Sequence, residues 1–517
     1  MATAAMKEHK DDPEMLVDLQ CSLAKSYAEN PELRKTWLES MARVHKKNGN
    51  YSEVAMCYVH IAALVAEYLK RKGKSFGFVL YTFGMCYVFC RHTKLSMLAK
   101  GCALFRMISP NVEKEELAMK EDSGMQDVPY NEDMLIDMLH TCVETLQQAE
   151  RYELLATIFA MITPYYEKRR DYEVINVYDT MKRGYEKVLE VNRNGKRLLG
   201  KFFRVALYGQ SHFEEEDGKQ YIYKEPKLTQ LSEISQRLQA TYGSKYGSEN
   251  VRLIQESGKV NTKELDSKLA YIQVTYVQPY FDEHEREQRT TYFEQQHNVR
   301  NFVFETPFTP GGRARGDIEE QWKRKTILTT SHSFPYVKKR IPVMSMRSFE
   351  LKPIEVALDE MTSKCNELEQ LITAERVDLK KLQLRLQGSV NVQVNAGPLA
   401  YAKAFLEDSK VQNHAANTIE LLRGVFRRFV DLCGRALYIN EQLITSNQQV
   451  YHESLQECYL RTAAELSQIL HEQLLGEDED SFSVTTGGYD ADVMSSISGN
   501  VTPRRSVAGS VSDASNA

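Results

Sequence analysis

The run Gly388-Ser389-Val390-Asn391-Val392-Gln393-Val394-Asn395-Ala396-Gly397-Pro398 is the stretch of this chain whose residue types most suggest a special role, because it breaks a helical pattern with β-branched residues, glycine, asparagine and proline. A chain that interrupts its own helix can present a side chain, and alternating valines suit an ordinary solvated loop poorly. On periodicity alone a plainer reading leads. A connection between two helices, with its valines plugging a core, would look the same.

The surrounding elements make the run an interruption. Leu379, Leu382 and Leu386 approach it at helical spacing, and Ala400, Ala404 and Phe405 leave it likewise, so a bulge or loop between two half-helices is predicted. Upstream, Ile354, Leu358, Met361, Cys365, Leu368 and Ile372 form one helical stripe after Pro353; downstream, Ile419, Leu422, Phe426, Phe429, Cys433 and Leu437 form another. With a helix over residues 443–470, these segments predict a bundle of about four helices.

Other chemistry is missing. Residues 311–316 lack the Lys and Ser/Thr of a phosphate-binding loop, His284-Glu285 and His471-Glu472 lack the second histidine of a zinc-protease helix, and Gly209-Gln210-Ser211 lacks the closing glycine of a nucleophile elbow. These gaps speak against an acid, base or nucleophile of the chain's own. Cys86 and Cys90 can share a helix face, but no CxxC pair or Cys/His quartet accompanies them, so no metal and no cofactor is expected.

Bulk properties narrow the class. A chain of 517 residues with net charge -5, 42% hydrophobic and 26% charged, has the composition of an ordinary globular protein without a nucleic-acid footprint. Nine cysteines, odd in number and mostly set in apolar patterns, suit reduced thiols in the cytoplasm. The first residues lack a secretory core, and the charge-free stretch 75–90 falls short of the ~18–20 residues that span a bilayer. It reads as a buried helix or strand.

The rest of the chain divides by period. Residues 14–192 read as successive helices, ending in a hairpin whose first helix stops at Pro164 and whose second carries Val174, Tyr178, Met181, Tyr185 and Val188. An irregular helical array is predicted. From about Gly200, short β-rich segments take over at 202–208, 221–223, 271–277, 302–304, 326–330 and 337–343, interrupted by one helix through Leu231, Ile234, Leu238 and Tyr242 that Gly243 should stop. The basic cluster Tyr336-Val337-Lys338-Lys339-Arg340-Ile341 reads as a solvated sheet edge, with an acidic partner as the alternative. Beyond Gly476 the Gly, Ser, Thr and acidic composition predicts a disordered tail.

Taken together, the strings TWLESMARVHKKNGNYSEVAMCYVHIAALVAEYL, ERYELLATIF with YEKRRDYE, GKQYIYKEPKLTQLSEISQRL, KRKTILTTSHSFPYVKKRIPV, PIEVALDEM and LQGSVNVQVNAGPLAYAKAFL resemble the DOCK (dedicator of cytokinesis) guanine-nucleotide exchange factors. The likeness is to their catalytic DOCK homology region two over residues 14–475, and YIYKEPKL and AGPLAYA look most like the zizimin subgroup. It implies an α+β, mainly α fold of three lobes: helical lobe A at 1–192, used for homodimerisation, β-rich lobe B at 193–342, and helical-bundle lobe C at 343–475, followed by the tail 476–517. Residues 74–100 depart from the family pattern and read as an atypical insert in lobe A.

The same resemblance implies a regulator without covalent chemistry. Its partner would be a Rho-family small GTPase, Cdc-forty-two first and Rac second, held in the nucleotide-free form. The family's nucleotide sensor, a valine on the interrupted helix, maps to Val394, with Val390 as the alternative. Asn395, Gly397 and Pro398 would line the GTPase interface, as would Leu351-Lys352-Pro353, where other subgroups carry Ile-Ser-Pro. Magnesium wants near-octahedral oxygen ligands and retained water, so methyl groups pushed beside it weaken its hold on the nucleotide phosphates. The upstream phospholipid-binding and pleckstrin-type regions of full-length members are not in this sequence, so membrane contact is not encoded in it. The competing expectation is a non-catalytic dimeric helical scaffold in cytoskeletal signalling. For the dimer surface, the hairpin through residues 131–191 is the candidate.

Overall fold

Capping chemistry written in the sequence starts the first helices. Asp12 accepts from the Met15 amide ahead of Pro13, and Asn30 accepts from the Leu33 amide ahead of Pro31, so α1 (Pro13–Ser26) and α2 (Pro31–Lys47) each begin with a side-chain cap and a proline in the first turn. The computed structural model describes residues 6, 12–82, 100–117, 128–195, 197, 199–226, 228–311, 316–374, 376–390 and 397–475. Within these the chain is mostly helical with a β-rich central region, and it forms two compact units, 1–356 and 357–517.

In the first unit α3 (Tyr51–Thr82) is rich in apolar residues over 51–72, and 89% of its most apolar window is buried inside the protein. A helix of that kind is the centre of a core. Against it pack α2, α4 (Pro110–Glu116) and α5 (Glu132–Gln148), while α6 (Leu155–Arg169) packs on α5 and α7 (Val174–Asn194) on α6. The expected stop at Pro164 does not occur. Tyr165 beyond it is buried, and Tyr166 takes a 3.0 Å hydrogen bond with His140, so packing carries α6 to Arg169 at the loss of one backbone bond. The segment expected as a buried helix or strand, 75–90, enters α3 and then leaves the described residues, as does most of the atypical insert.

The sheet holds β1 (Lys201–Tyr208), β2 (Gln220–Glu225), β3 (Val251–Ile254), β4 (Ala270–Pro279), β5 (Val299–Phe308), β6 (Trp322–Phe334) and β7 (Arg340–Leu351) in the order β1-β2-β7-β6-β5-β4-β3. Because β4 also pairs antiparallel with β1, Phe202 opposite Val277, the ladder closes on itself and β3 is its parallel appendage. Both faces of β1 are buried, and alternation assigns them to different cores. Phe203, Val205 and Leu207 meet Ile234, Leu238 and Tyr242 of helix α8 (Leu231–Tyr246), whereas Phe202 joins Phe302, Phe334 and the helical array in one cluster running from Val17 to Ile341. Helices and sheet of this unit therefore share a core.

Three expectations need correction here. Gly243 sits inside α8, and the helix ends at Gly247, whose φ of +91° is the conformation glycine permits. Second, the sheet runs beyond residue 342: β7 pairs with β6 as far as Leu351 opposite Lys323, its outer residues exposed and mixed in polarity, which hid the strand from periodicity. Third, the basic cluster is no solvated edge. Arg340 is 2% exposed, Tyr336 and Val337 are core residues, and the charges are met from within the chain.

The second unit is a bundle of α9 (Pro353–Ile372), α10 (Leu379–Val390), α11 (Pro398–Leu406), α12 (Ala416–Leu443) and α13 (Gln449–Leu470). The two predicted stripes are its core: Met361, Cys365 and Leu368 pack inside, as do Leu422, Phe426, Phe429 and Cys433. Asn440 and His452, both buried, bond at 2.9 Å across the α12–α13 pair. The tail 476–517 lies outside the described residues.

Candidate functional site

The interruption is real and its two stumps are fixed. α10 ends at Val390, which is 5% exposed and whose carbonyl accepts from Thr462 Oγ1 at 3.4 Å. The helix resumes with Gly397 as N-cap in extended conformation and Pro398 at its first position. Three contacts hold α11 to the bundle: Tyr401 donates to Glu360 at 2.6 Å, Phe405 is buried edge-on to His414, and Lys403 pairs with Glu465 at 3.0 Å. Burial, then the Glu360 carboxylate, raise the Tyr401 pKa, so the phenol keeps its proton and stays a donor.

The proposed sensor residues separate at this point. Val390 is folded into the core of its own bundle, as the plainer reading of the run expected for its valines. Val394 and Asn395 fall within 391–396, outside the described residues. Gly397 and Pro398 form the return into α11, with Pro398 buried. In the first unit Leu351 closes the β6–β7 ladder, the Lys352 amide donates to Glu355 at 2.8 Å, and Pro353 opens α9.

The strongest electrostatics lie elsewhere in the first unit. Arg34 grips both oxygens of Glu116 at 2.8 and 2.6 Å, and His60 Nδ1 reaches the same carboxylate at 2.8 Å. Its neighbour Glu115 meets Lys25 at 3.3 Å, His332 at 3.2 Å and the Tyr336 hydroxyl. Burial opposes ionisation of both carboxyls, yet His332 and His60 around Glu115, and Arg34 above all at Glu116, hold them below the usual carboxylate range. His60, Glu115 and Glu116 are close enough to surround a cation. Arg34 and Lys25 already balance both charges, so an added cation would meet two fixed positive groups.

A second network explains the basic cluster. Lys338 and Arg340 each pair with Asp18 at 2.6 Å, Lys339 pairs with Glu225 at 3.0 Å, and Glu14 with Arg237 at 2.6 Å, around a cleft of about 370 Å³. Deeper, Arg151 is 1% exposed and is met by Ser52 Oγ at 3.2 Å and His297 Nδ1 at 3.3 Å. Sequence reasoning missed both networks. Glu115-Glu116 beside an apolar run, and arginines within apolar stripes, were the available signal; their partners are far away in the chain, 56 residues separating His60 from Glu116 and 82 separating Arg34 from it.

With this architecture in place, family profiles described as DHR-2 Lobe A, Lobe B and Lobe C match residues 18–190, 257–333 and 367–469 in that order. The chain belongs to the dedicator-of-cytokinesis family. Dedicator of cytokinesis protein 9 of Homo sapiens is 57% identical over 492 residues, 92% of this chain and 24% of that protein. Protein 11 of Danio rerio is 55% identical over 479 residues, covering 92% and 22%, and human protein 8 is 38% identical over 479, covering 91% and 22%. The chain thus spans about a quarter of the length of these relatives. The higher identities to proteins 9 and 11 agree with the zizimin subgroup that the YIYKEPKL and AGPLAYA strings implied. Lobe A is the helical array, lobe B the closed sheet, and lobe C the bundle with the broken helix.

Proposed function

We propose that this chain is a guanine-nucleotide exchange factor that releases GDP from a Rho-family small GTPase, Cdc-forty-two first and Rac second. The observation that carries the reading is the break in lobe C, where two anchored half-helices bracket residues 391–396 in a family member. The buried side chain of Val390 supports Val394 as the nucleotide sensor, with Val390 as the alternative, and Asn395, Gly397 and Pro398 as GTPase contacts. Leu351, Lys352 and Pro353 form a further contact segment. Inserted at the Mg²⁺ site, the Val394 methyl groups supply no oxygen and exclude water, so the metal and then GDP lose their hold. The factor acts by binding the nucleotide-free GTPase better than the GDP form, and no covalent step is required.

The test is release of labelled GDP. The chain accelerates it, and Val394→Ala removes most of the acceleration while the protein stays folded and still binds the GTPase; unchanged release in that variant overturns the sensor assignment. Pull-downs separate this reading from a silent scaffold, since an exchange factor captures EDTA-treated GTPase over the GDP-loaded form. Homodimerisation belongs to the same reading. Outward-facing Tyr172, Ile175, Tyr178, Tyr185 and Leu189, between 41% and 84% exposed in and beside α7, give lobe A an apolar face larger than its own core uses. The free, buried thiols favour a cytoplasmic protein.

A further inference from the structure

A groove of about 550 Å³ lies within lobe C between α9 and α10. Leu371 and Leu384 make its apolar surface over the buried Leu368, and Leu384 is 68% exposed. Lys364, Lys381 and Arg385 line its rim against one carboxylate, Glu367, which Arg385 binds at 3.0 Å. Lys381 has only an exposed contact of 3.4 Å with Asp378, and Lys364 has no ion pair among the described residues. At its far end is Gly388, where a side chain would meet no atom within 4 Å. Leucines under a cationic rim fit a segment that combines carboxylates with an aromatic ring.

We propose that this groove docks the chain's own segment Glu477-Asp478-Glu479-Asp480-Ser481-Phe482, its carboxylates against Lys364, Lys381 and Arg385 and its phenyl ring on the leucines. The segment follows directly on the last described residue of lobe C, Leu475. Reach is sufficient. The bond from Thr462 to the Val390 carbonyl sets the end of α10 level with Thr462, roughly 12 Å of helix before α13 ends at Leu470. Residues 471–475 turn back, the Leu474 amide donating to Ser467 Oγ at 3.2 Å and Glu472 pairing with Arg427 at 2.7 Å, so the tether starts at Leu475, and its five residues to Asp480 cover up to about 17 Å. A tether this short gives an effective concentration on the order of millimolar, so a weak groove is still filled. Docked there, the segment reaches the end of α10 at Gly388 and Ser389; any effect on exchange rests on the exchange-factor reading, whereas the docking does not.

Zero-length carbodiimide coupling of the full chain at low micromolar concentration, followed by peptide mapping, reads the contact directly. Amide links from Lys364 or Lys381 to carboxylates 477–480 within one chain are expected, at least fivefold reduced when salt is raised to about 0.5 M. Replacing all four carboxylates by lysine (Glu477→Lys, Asp478→Lys, Glu479→Lys, Asp480→Lys) abolishes them. Adding Lys381→Glu and Arg385→Glu to that variant restores links of reversed polarity, a rescue that structural damage cannot give. Links to lysines elsewhere, links joining two chains, or failure of the charge-swapped variant overturn the proposal. Exchange is not the readout, so a negative result leaves the proposed function standing.

Discussion

His297 gives the sharpest test of the charges buried in the first unit. Its ring stacks on Phe293 with centroids 4.9 Å apart and accepts at Nδ1 from Arg151 at 3.3 Å. Burial, then the Arg151 cation, push its pKa down to about 3. In the unfolded chain the same imidazole titrates near ~6.5. The unfolded state therefore takes up a proton that the folded state refuses, so this contribution to stability is complete above pH ~6.5 and is lost as pH falls towards about 3. At pH ~5 the unfolded imidazole is about 1.5 pH units below its pKa, which makes the loss about 2 kcal/mol. His297→Gln keeps an acceptor beside Arg151 and removes the titration. Urea unfolding at pH ~8 and ~5, followed by tryptophan fluorescence, reads this unit alone, because Trp37 and Trp322 both lie in it. The variant should lose about 2 kcal/mol less than the wild type between the two pH values. His45 and His332, also lowered by burial, leave it a residual loss. Glu115 and Glu116, held below the usual range, contribute stability that is complete above pH ~4.5 and is lost only as pH falls further, so they do not enter the comparison of pH ~8 with ~5. Parallel curves for wild type and variant would refute the assignment of His297 as a neutral acceptor.

Arg34→Met should destabilise the first unit by ~3–5 kcal/mol, because it strands Glu116 in the interior; a loss under about 1 kcal/mol in the same denaturation would show that the pair is dispensable. Ile175→Glu combined with Leu189→Glu should convert a dimer into a monomer by light scattering at micromolar concentration, and an unchanged mass would move the dimer surface off α7. The Val394→Ala loss of GDP release completes the set, and it should leave the urea midpoint within the scatter of the wild type.

Periodicity was enough for what repeats locally. The stripes through Met361, Cys365 and Leu368 and through Phe426, Phe429 and Cys433 became the bundle core, and the β-rich run from Phe202 to Tyr208 became a strand. It failed where a distant partner decides. Nothing beside Lys338-Lys339-Arg340 announces Asp18 or Glu225, and a basic run without visible carboxylates reads as solvated. Pro164 and Gly243 failed for a related reason: both are breakers by local preference, and both sit in helices whose flanking residues, Tyr165 and Tyr242, are buried tightly enough to override it. Residues 343–351 were missed because an exposed strand paired on one side has little apolar alternation to show.

The break in lobe C joins these two kinds of information. Composition alone allowed every valine in the run to be a core plug, and for Val390 the buried side chain and the Thr462 bond have that character. Anchoring of this kind is what a presented side chain requires from its neighbours. If the stumps at Val390 and Gly397 moved freely, the segment between them would lose conformational entropy on meeting a GTPase, and that loss would subtract from the proposed preference for the nucleotide-free form. Tyr401, Lys403 and Phe405 on one side and Val390 on the other confine the ends before any partner arrives. Thr462→Val, which keeps the shape and deletes the bond to the Val390 carbonyl, should therefore weaken capture of EDTA-treated GTPase more than it lowers the stability of lobe C. Equal losses in the two measurements would mean that the bond supports only the fold.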